Sequence, residues 1–226
     1  MTVWARITEI AHEFGDTLSH VLGGFSFNST APEKSVGFTI GMIALGAKMA
    51  KADGVVTDDE VLAFKQVFHI PEKDMAAVER VFNLAKQDVV GFESYAEQVA
   101  KLFTLKSAVL ENVLDGLFHI AKADNVVHED ELTYLTRVAE IFGFSDTEFA
   151  RIRARHVAIK DDPYDLLGVA RGASLAVIKK KYKSLVRSLH PDKLTGEGVP
   201  KEMVKISTDR LARITAAYSE LMKELA

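Results

Sequence analysis

The chain has 226 residues, a formal net charge of −4, 48% hydrophobic and 27% charged residues, and no cysteine. That is enough chain for one large domain or two modest ones, and it excludes disulfides, thiolate metal sites and cysteine nucleophiles. The acidic balance speaks against general nucleic-acid binding, which needs a broad basic face.

Residues 3–21 put Val3, Ile7, Ile10, Phe14, Leu18 and Val21 on one stripe, which predicts an amphipathic helix. Arg6, Glu9, His12, Glu13 and Asp16 interrupt any apolar signal core. The polar face carries no excess of Lys or Arg. Packing on the rest of the protein is therefore expected, with weak membrane-surface contact through residues 3–21 as the alternative. Gly23-Gly24 and the polar run to Pro32 read as a break. Val36 to Ala50 is apolar, but it is shorter than the roughly 20 residues a span requires and contains Lys48; it predicts a buried core helix.

Strand signals are nearly absent and a 3.6-residue period recurs. Helices are expected at about 35–52, 58–68, 71–86, 92–104, 106–123, 129–143 and 146–156. Pro71 suits a first helical turn, and Ser145 with Glu148 forms a capping box. Phe118 and Phe142 are expected in the core, Arg151, Arg153, Arg155 and Lys160 on a solvated edge. The histidines show no metal-ligand spacing, and His128 reads as a helix start.

Ala50-Lys51-Ala52-Asp53-Gly54-Val55-Val56 recurs as Ala121-Lys122-Ala123-Asp124-Asn125-Val126-Val127. Each copy ends a helix, turns at a residue that tolerates the left-handed conformation, and enters an acidic helix start. Two similar helical halves follow from this pseudo-repeat. The clustered acids, with Asp53, Glu60, Asp124 and Glu131 as candidate ligands, raise a metal reading. Gly54 and Glu60 match positions six and twelve of a calcium loop, but positions one and three fall on Met49 and Lys51. The acids are better explained by the helix dipole. The Ala-Lys-Ala-Asp-Gly-x-Val-x-x-x-Glu pattern resembles the TerB-like helical domain, named from tellurite-resistance proteins, over about residues 35–155; the resemblance implies an all-helical fold.

The carboxy-terminal part changes sign. Residues 161–226 hold 12 Lys and Arg against 9 Asp and Glu, the preceding residues 16 against 23. Asp162 can cap a short helix opened by Pro163 and stopped by Gly168. Ser174 caps a longer helix striped by Ile178, Tyr182, Leu185 and Leu189, with Lys179, Lys180, Lys181, Lys183 and Arg187 on its remaining surface. A last helix carries Leu211, Ile214, Tyr218, Leu221 and Leu225. Two such stripes pair as an antiparallel hairpin. Between them, Pro191 ends the preceding helix, holding His190 and Asp192 at an exposed tip. Nothing nearby supplies a nucleophile, an oxyanion hole or enclosure, so no enzyme activity and no cofactor are expected.

The Pro163-Tyr164-Asp165-Leu166-Leu167-Gly168-Val169 start, Ile178-Lys179-Lys180-Lys181-Tyr182, His190-Pro191-Asp192-Lys193 and Ile214-Thr215-Ala216-Ala217-Tyr218-Ser219-Glu220-Leu221 together resemble a J-domain. The resemblance implies a co-chaperone of DnaK-type ATPases. In such a protein the basic helix, with Lys193, docks on the ATPase, and His190, Pro191 and Asp192 trigger hydrolysis. The long segment from Leu194 to Met203 is similar to the DjlA-like subfamily, which joins a TerB-like domain to a terminal J-domain. That subfamily starts with an apolar membrane anchor, where this chain has a charged amphipathic helix. The expected organisation is all-α: residues 1–30 a helix and linker, 31–156 a TerB-like bundle, 157–162 a linker, and 163–226 a J-domain hairpin. A cytoplasmic protein is expected, peripheral on the inner membrane in the alternative. With no Gly/Phe-rich stretch and no zinc module, the bundle is expected to supply targeting or choice of an unidentified client. A metal- or stress-sensing adaptor built on the acidic turns is the competing reading.

Overall fold

A computed structural model describes residues 7, 31–49, 70, 72–87, 91–122, 127–157, 162–199 and 201–225. Among them all regular structure is helical: α1 (Ala31–Met49), a 3-10 turn at Glu72–Asp74, α2 (Met75–Gln87), α3 (Phe92–Lys101), α4 (Ala108–Ala121), α5 (Glu129–Ile141), α6 (Asp146–Val157), α7 (Pro163–Leu167), α8 (Leu175–Ser188), α9 (Pro191–Gly196) and α10 (Lys201–Glu224). The expected helix at 58–68, Pro71, Lys160 and the first copy of the repeat lie outside the described residues.

α1 is the centre of the larger bundle. From Val36 to Met49 its residues are buried except for the half-buried Lys48, the pattern of a helix enclosed on every side. It packs on α2, α3 and α4. Its approach to α3 is so close that a Cβ on Gly41 would come within 2.6 Å of Val99 Cγ2. The Tyr134 hydroxyl of α5 donates to the Leu45 carbonyl at 2.8 Å, bringing one buried polar group to another. Ile7, the described residue of the amino-terminal stripe, is fully buried in this same core, where packing of that stripe would put it.

α4 carries Val109, Leu110, Val113, Leu114, Leu117 and Phe118, all buried; such side chains contribute on the order of 10 kcal/mol of gross burial before chain entropy is set against it. The helix starts at Ala108 because the Ser107 hydroxyl accepts from Leu110 N. The expected start at 106 is displaced by Lys106, whose φ is 58°. The Ser145–Glu148 capping box forms, with Ser145 N donating to Glu148 Oε2 at 2.8 Å. Lys106 Nζ also reaches that carboxylate at 2.8 Å. These bonds hold Glu148 down to about 2, hydrogen bonding from Lys106 being the largest influence.

The smaller unit has its own core of Leu167, Ile178, Leu189, Ile214 and Leu221, built by α7, α8 and α10. Gly168, at φ 64°, closes α7 in the left-handed conformation that glycine adopts without strain. The expected stripe continues to Leu225, but α10 ends at Glu224 and Leu225 is 42% exposed.

The two cores meet along α10, 24 residues and about 36 Å long. Its first half sends Val204 into the larger core, together with Leu194 and Val199 from the preceding segment. Its second half serves the smaller one. A small apolar cavity at the seam is lined by Phe38, Val109 and Val113 on one side and Leu194, Val199 and Ile206 on the other.

Candidate functional site: a presented His-Pro-Asp turn

α8 presents the basic face expected of it. Ser174 Oγ accepts from Val177 N to start the helix, and Ile178 and Leu189 are fully buried against α10. Tyr182 and Tyr218 stack across the hairpin, ring centroids 4.0 Å apart and 5° from parallel. With that stripe turned inward, Lys179, Lys180, Lys181, Lys183 and Arg187 are all exposed.

The tripeptide is not the loop tip expected from the sequence. Pro191 does end α8, but it also opens α9, with His190 as the cap. A proline at the first helical position loses no hydrogen bond and has its φ already set, and His190 Nδ1 accepts from Asp192 N at 3.2 Å. With Nδ1 accepting, the ring proton sits on Nε2. The Asp192 carboxylate stands 3.7 Å from Nδ1, beyond hydrogen-bond reach. The side chains of His190 and Asp192 are 53% and 92% exposed. Both the Nε2–H donor and the carboxylate therefore face outward from a fixed turn. Lys193, also exposed, lies 3.6 Å from Glu197. Behind this turn Leu194 is fully buried, so the tripeptide is open in front and anchored behind.

A second constellation escaped the sequence reading. Arg155, expected on a solvated edge with the exposed Arg151 and Arg153, has its side chain only 8% exposed. Its Nη2 contacts Glu111 at 2.7 Å and Asp115 at 3.2 Å. Arg210 of α10 reaches the same acids, Glu111 at 2.5 Å and Asp115 at 3.4 Å. His156 Nε2 is 2.7 Å from Asp115, its ring stacked on Phe118. Burial opposes ionisation of Asp115 most strongly, but Arg155, Arg210 and His156 together outweigh it and hold the carboxyl far below the usual range. Asn112 completes the group, its amide donating to Ser207 Oγ and its carbonyl accepting from Arg210 Nη1 at 3.0 Å.

Of the candidate metal ligands, Asp53, Glu60 and Asp124 lie outside the described residues. Glu131 is 3% exposed, and its carboxylate accepts from His128 N at 2.8 Å, which makes it an end-cap of α5. His128 is the helix-start residue expected. Among the described residues no cluster of three His, Asp or Glu is placed to hold a metal, and no helix is long and apolar enough to cross a membrane.

The family described as Tellurite resistance protein TerB matches residues 39–154, just over half of the chain, and the DnaJ domain matches residues 162–225. The chain belongs to the TerB family and ends in a DnaJ domain. The TerB domain thus comprises α1 to α6 and the DnaJ domain α7 to α10. Proteins named Co-chaperone protein DjlA align with most of this chain. That of Photobacterium profundum is 24% identical over 248 residues, covering 95% of this chain and 90% of the relative. That of Coxiella burnetii is 28% identical over 196 residues, covering 77% and 73%. That of Vibrio cholerae is 25% identical over 235 residues, covering 89% and 83%. No solved structure matches the chain.

Proposed function

We propose that this protein is a co-chaperone that stimulates ATP hydrolysis by a DnaK-type chaperone of the seventy-kilodalton heat-shock class. The observation that carries this reading is the His190-Pro191-Asp192 turn, exposed and conformationally fixed beside an open basic helix. The DnaJ-domain match and the relatives named Co-chaperone protein DjlA support it. Lys179, Lys180, Lys181, Lys183 and Arg187 steer and dock α8 on an acidic surface of the partner. His190 Nε2–H and the Asp192 carboxylate then insert into the partner's own hydrogen-bond network. The chemistry is the partner's; this chain supplies the trigger in the cytoplasm. The TerB domain serves targeting or client recruitment.

Single-turnover ATP hydrolysis by a purified DnaK-type ATPase tests this directly. Wild type accelerates turnover and His190→Gln does not, with unchanged circular dichroism. Equal acceleration by both refutes the assigned role. Lys180→Glu with Lys181→Glu raises the half-saturating concentration and flattens its dependence on salt.

A further inference from the structure

The segment after the tripeptide is built into the TerB domain. Leu194 and Val199, either side of the turn that ends α9, are buried against α4 and α1. Their amides are tied locally, Leu194 N to the His190 carbonyl at 3.1 Å and Val199 N to the Leu194 carbonyl at 3.0 Å. Pulling either side chain out of the seam therefore disturbs the hydrogen bond that His190 itself accepts.

The polar contacts along the seam fix its register. Ser207 and Arg210, one turn apart on α10, meet Asn112, Glu111 and Asp115 of α4. Asn112 and Arg210 are 6% and 9% exposed. Sliding α10 by one turn would leave an amide and a guanidinium buried without partners, a far larger penalty than an apolar seam would impose. The cations of α8 take no part, so the TerB domain braces the DnaJ domain from behind and leaves the basic face open.

We infer that Asn112, Asp115 and Arg210 are positioning residues for the His190-Pro191-Asp192 turn: the TerB domain, through the α4–α10 seam, holds the trigger in its active orientation. This rests on the co-chaperone reading above. Docking through α8 and triggering through α9 are then separable, because α9 packs into the larger core at the seam and α8 packs into the smaller one.

The test uses the full chain as wild type, Asn112→Ala, the milder Ser207→Ala, and His190→Gln. Amide hydrogen exchange is measured first without a partner. Asn112→Ala speeds exchange at Leu194 and Val199 by about tenfold or more, while Ile178, whose amide donates to the carbonyl of the α8 cap Ser174, is unchanged. Single-turnover hydrolysis by a DnaK-type ATPase is then titrated. The maximal rate falls by about threefold or more while the half-saturating concentration stays within about twofold, a split that mere loss of stability in the seam does not produce. Ser207→Ala, which removes one hydroxyl, gives the same pattern at smaller size and guards against misfolding of the first variant. Unchanged exchange at Leu194 and Val199 overturns the inference, as does faster exchange with an undiminished maximal rate. Absence of stimulation by wild type sinks the co-chaperone reading and the inference together; stimulation lost in His190→Gln but retained in both seam variants sinks the inference alone.

Discussion

Asp115→Asn isolates the charge at the centre of the buried cluster while keeping its shape. In the wild type this carboxylate, 12% exposed, faces Arg155, Arg210 and His156. Removing one member of a buried pair costs about 3–5 kcal/mol when the remaining charge is stranded. Here both arginines keep Glu111 at 2.7 and 2.5 Å, so the loss is smaller, about 2–3 kcal/mol. For a chain of this size that lowers the melting temperature by about 4–12 °C at pH 7. The pH dependence follows from the sign of the shift. The carboxyl titrates lower in the folded state than its ordinary 3.8. Its stabilisation is therefore complete above that value and declines as pH falls from it toward the lowered folded-state value. Thermal melts followed by circular dichroism at pH 7 and between pH 4 and 2 read both effects. The wild type's advantage over the variant narrows as the solution is acidified through that window. Melting within about 2 °C of wild type at pH 7, or a difference that does not narrow between pH 4 and pH 2, would refute Asp115 as the charge that organises this cluster.

Three other perturbations probe separate parts of the molecule. Gly41→Ala places a methyl group 2.6 Å from Val99 Cγ2 and destabilises the TerB domain by about 1–3 kcal/mol in urea unfolding; no change would mean that α1 and α3 have room to part. Tyr134→Phe deletes the donor to the Leu45 carbonyl and costs about 1–3 kcal/mol by the same assay. Ile178→Ala empties a fully buried site in the DnaJ core and lowers stability by about 2–5 kcal/mol; amides of α8 and α10 lose hydrogen-exchange protection before those of α1.

The helices were legible because their signals are local. Period, caps and the Pro-first, Gly-last grammar place α5 to α8 within a residue or two of expectation, and the apolar run from Val36 identifies the central helix. The tripeptide, too, is recognisable from adjacent residues. Its conversion into the first turn of α9 was foreshadowed by proline's double nature, a stop for one helix and a start for the next. The cluster around Asp115 was hidden because its members come from three distant stretches: Glu111 to Asp115, Arg155 to His156, and Arg210. Arg151, Arg153 and Arg155 look alike in sequence, yet Arg155 reaches Glu111 and Asp115 while Arg151 and Arg153 are exposed. One clue was available. Glu111, Asn112 and Asp115 interrupt a helix otherwise apolar around most of its circumference, and polar groups in such a helix require partners.

The sharing of α10 between two cores bears on how portable the carboxy-terminal module is. A fragment beginning at Asp162 contains the whole of the small core, yet it turns Leu194, Val199 and Val204 toward water and strips Arg210 of both its acids. Grafting this unit onto another protein transfers its docking face together with an unsheltered apolar strip, an invitation to self-association. Domain exchange in such a protein must carry α4 along with α7 to α10: the module's natural boundary is a surface in space, which no single cut in the chain can follow.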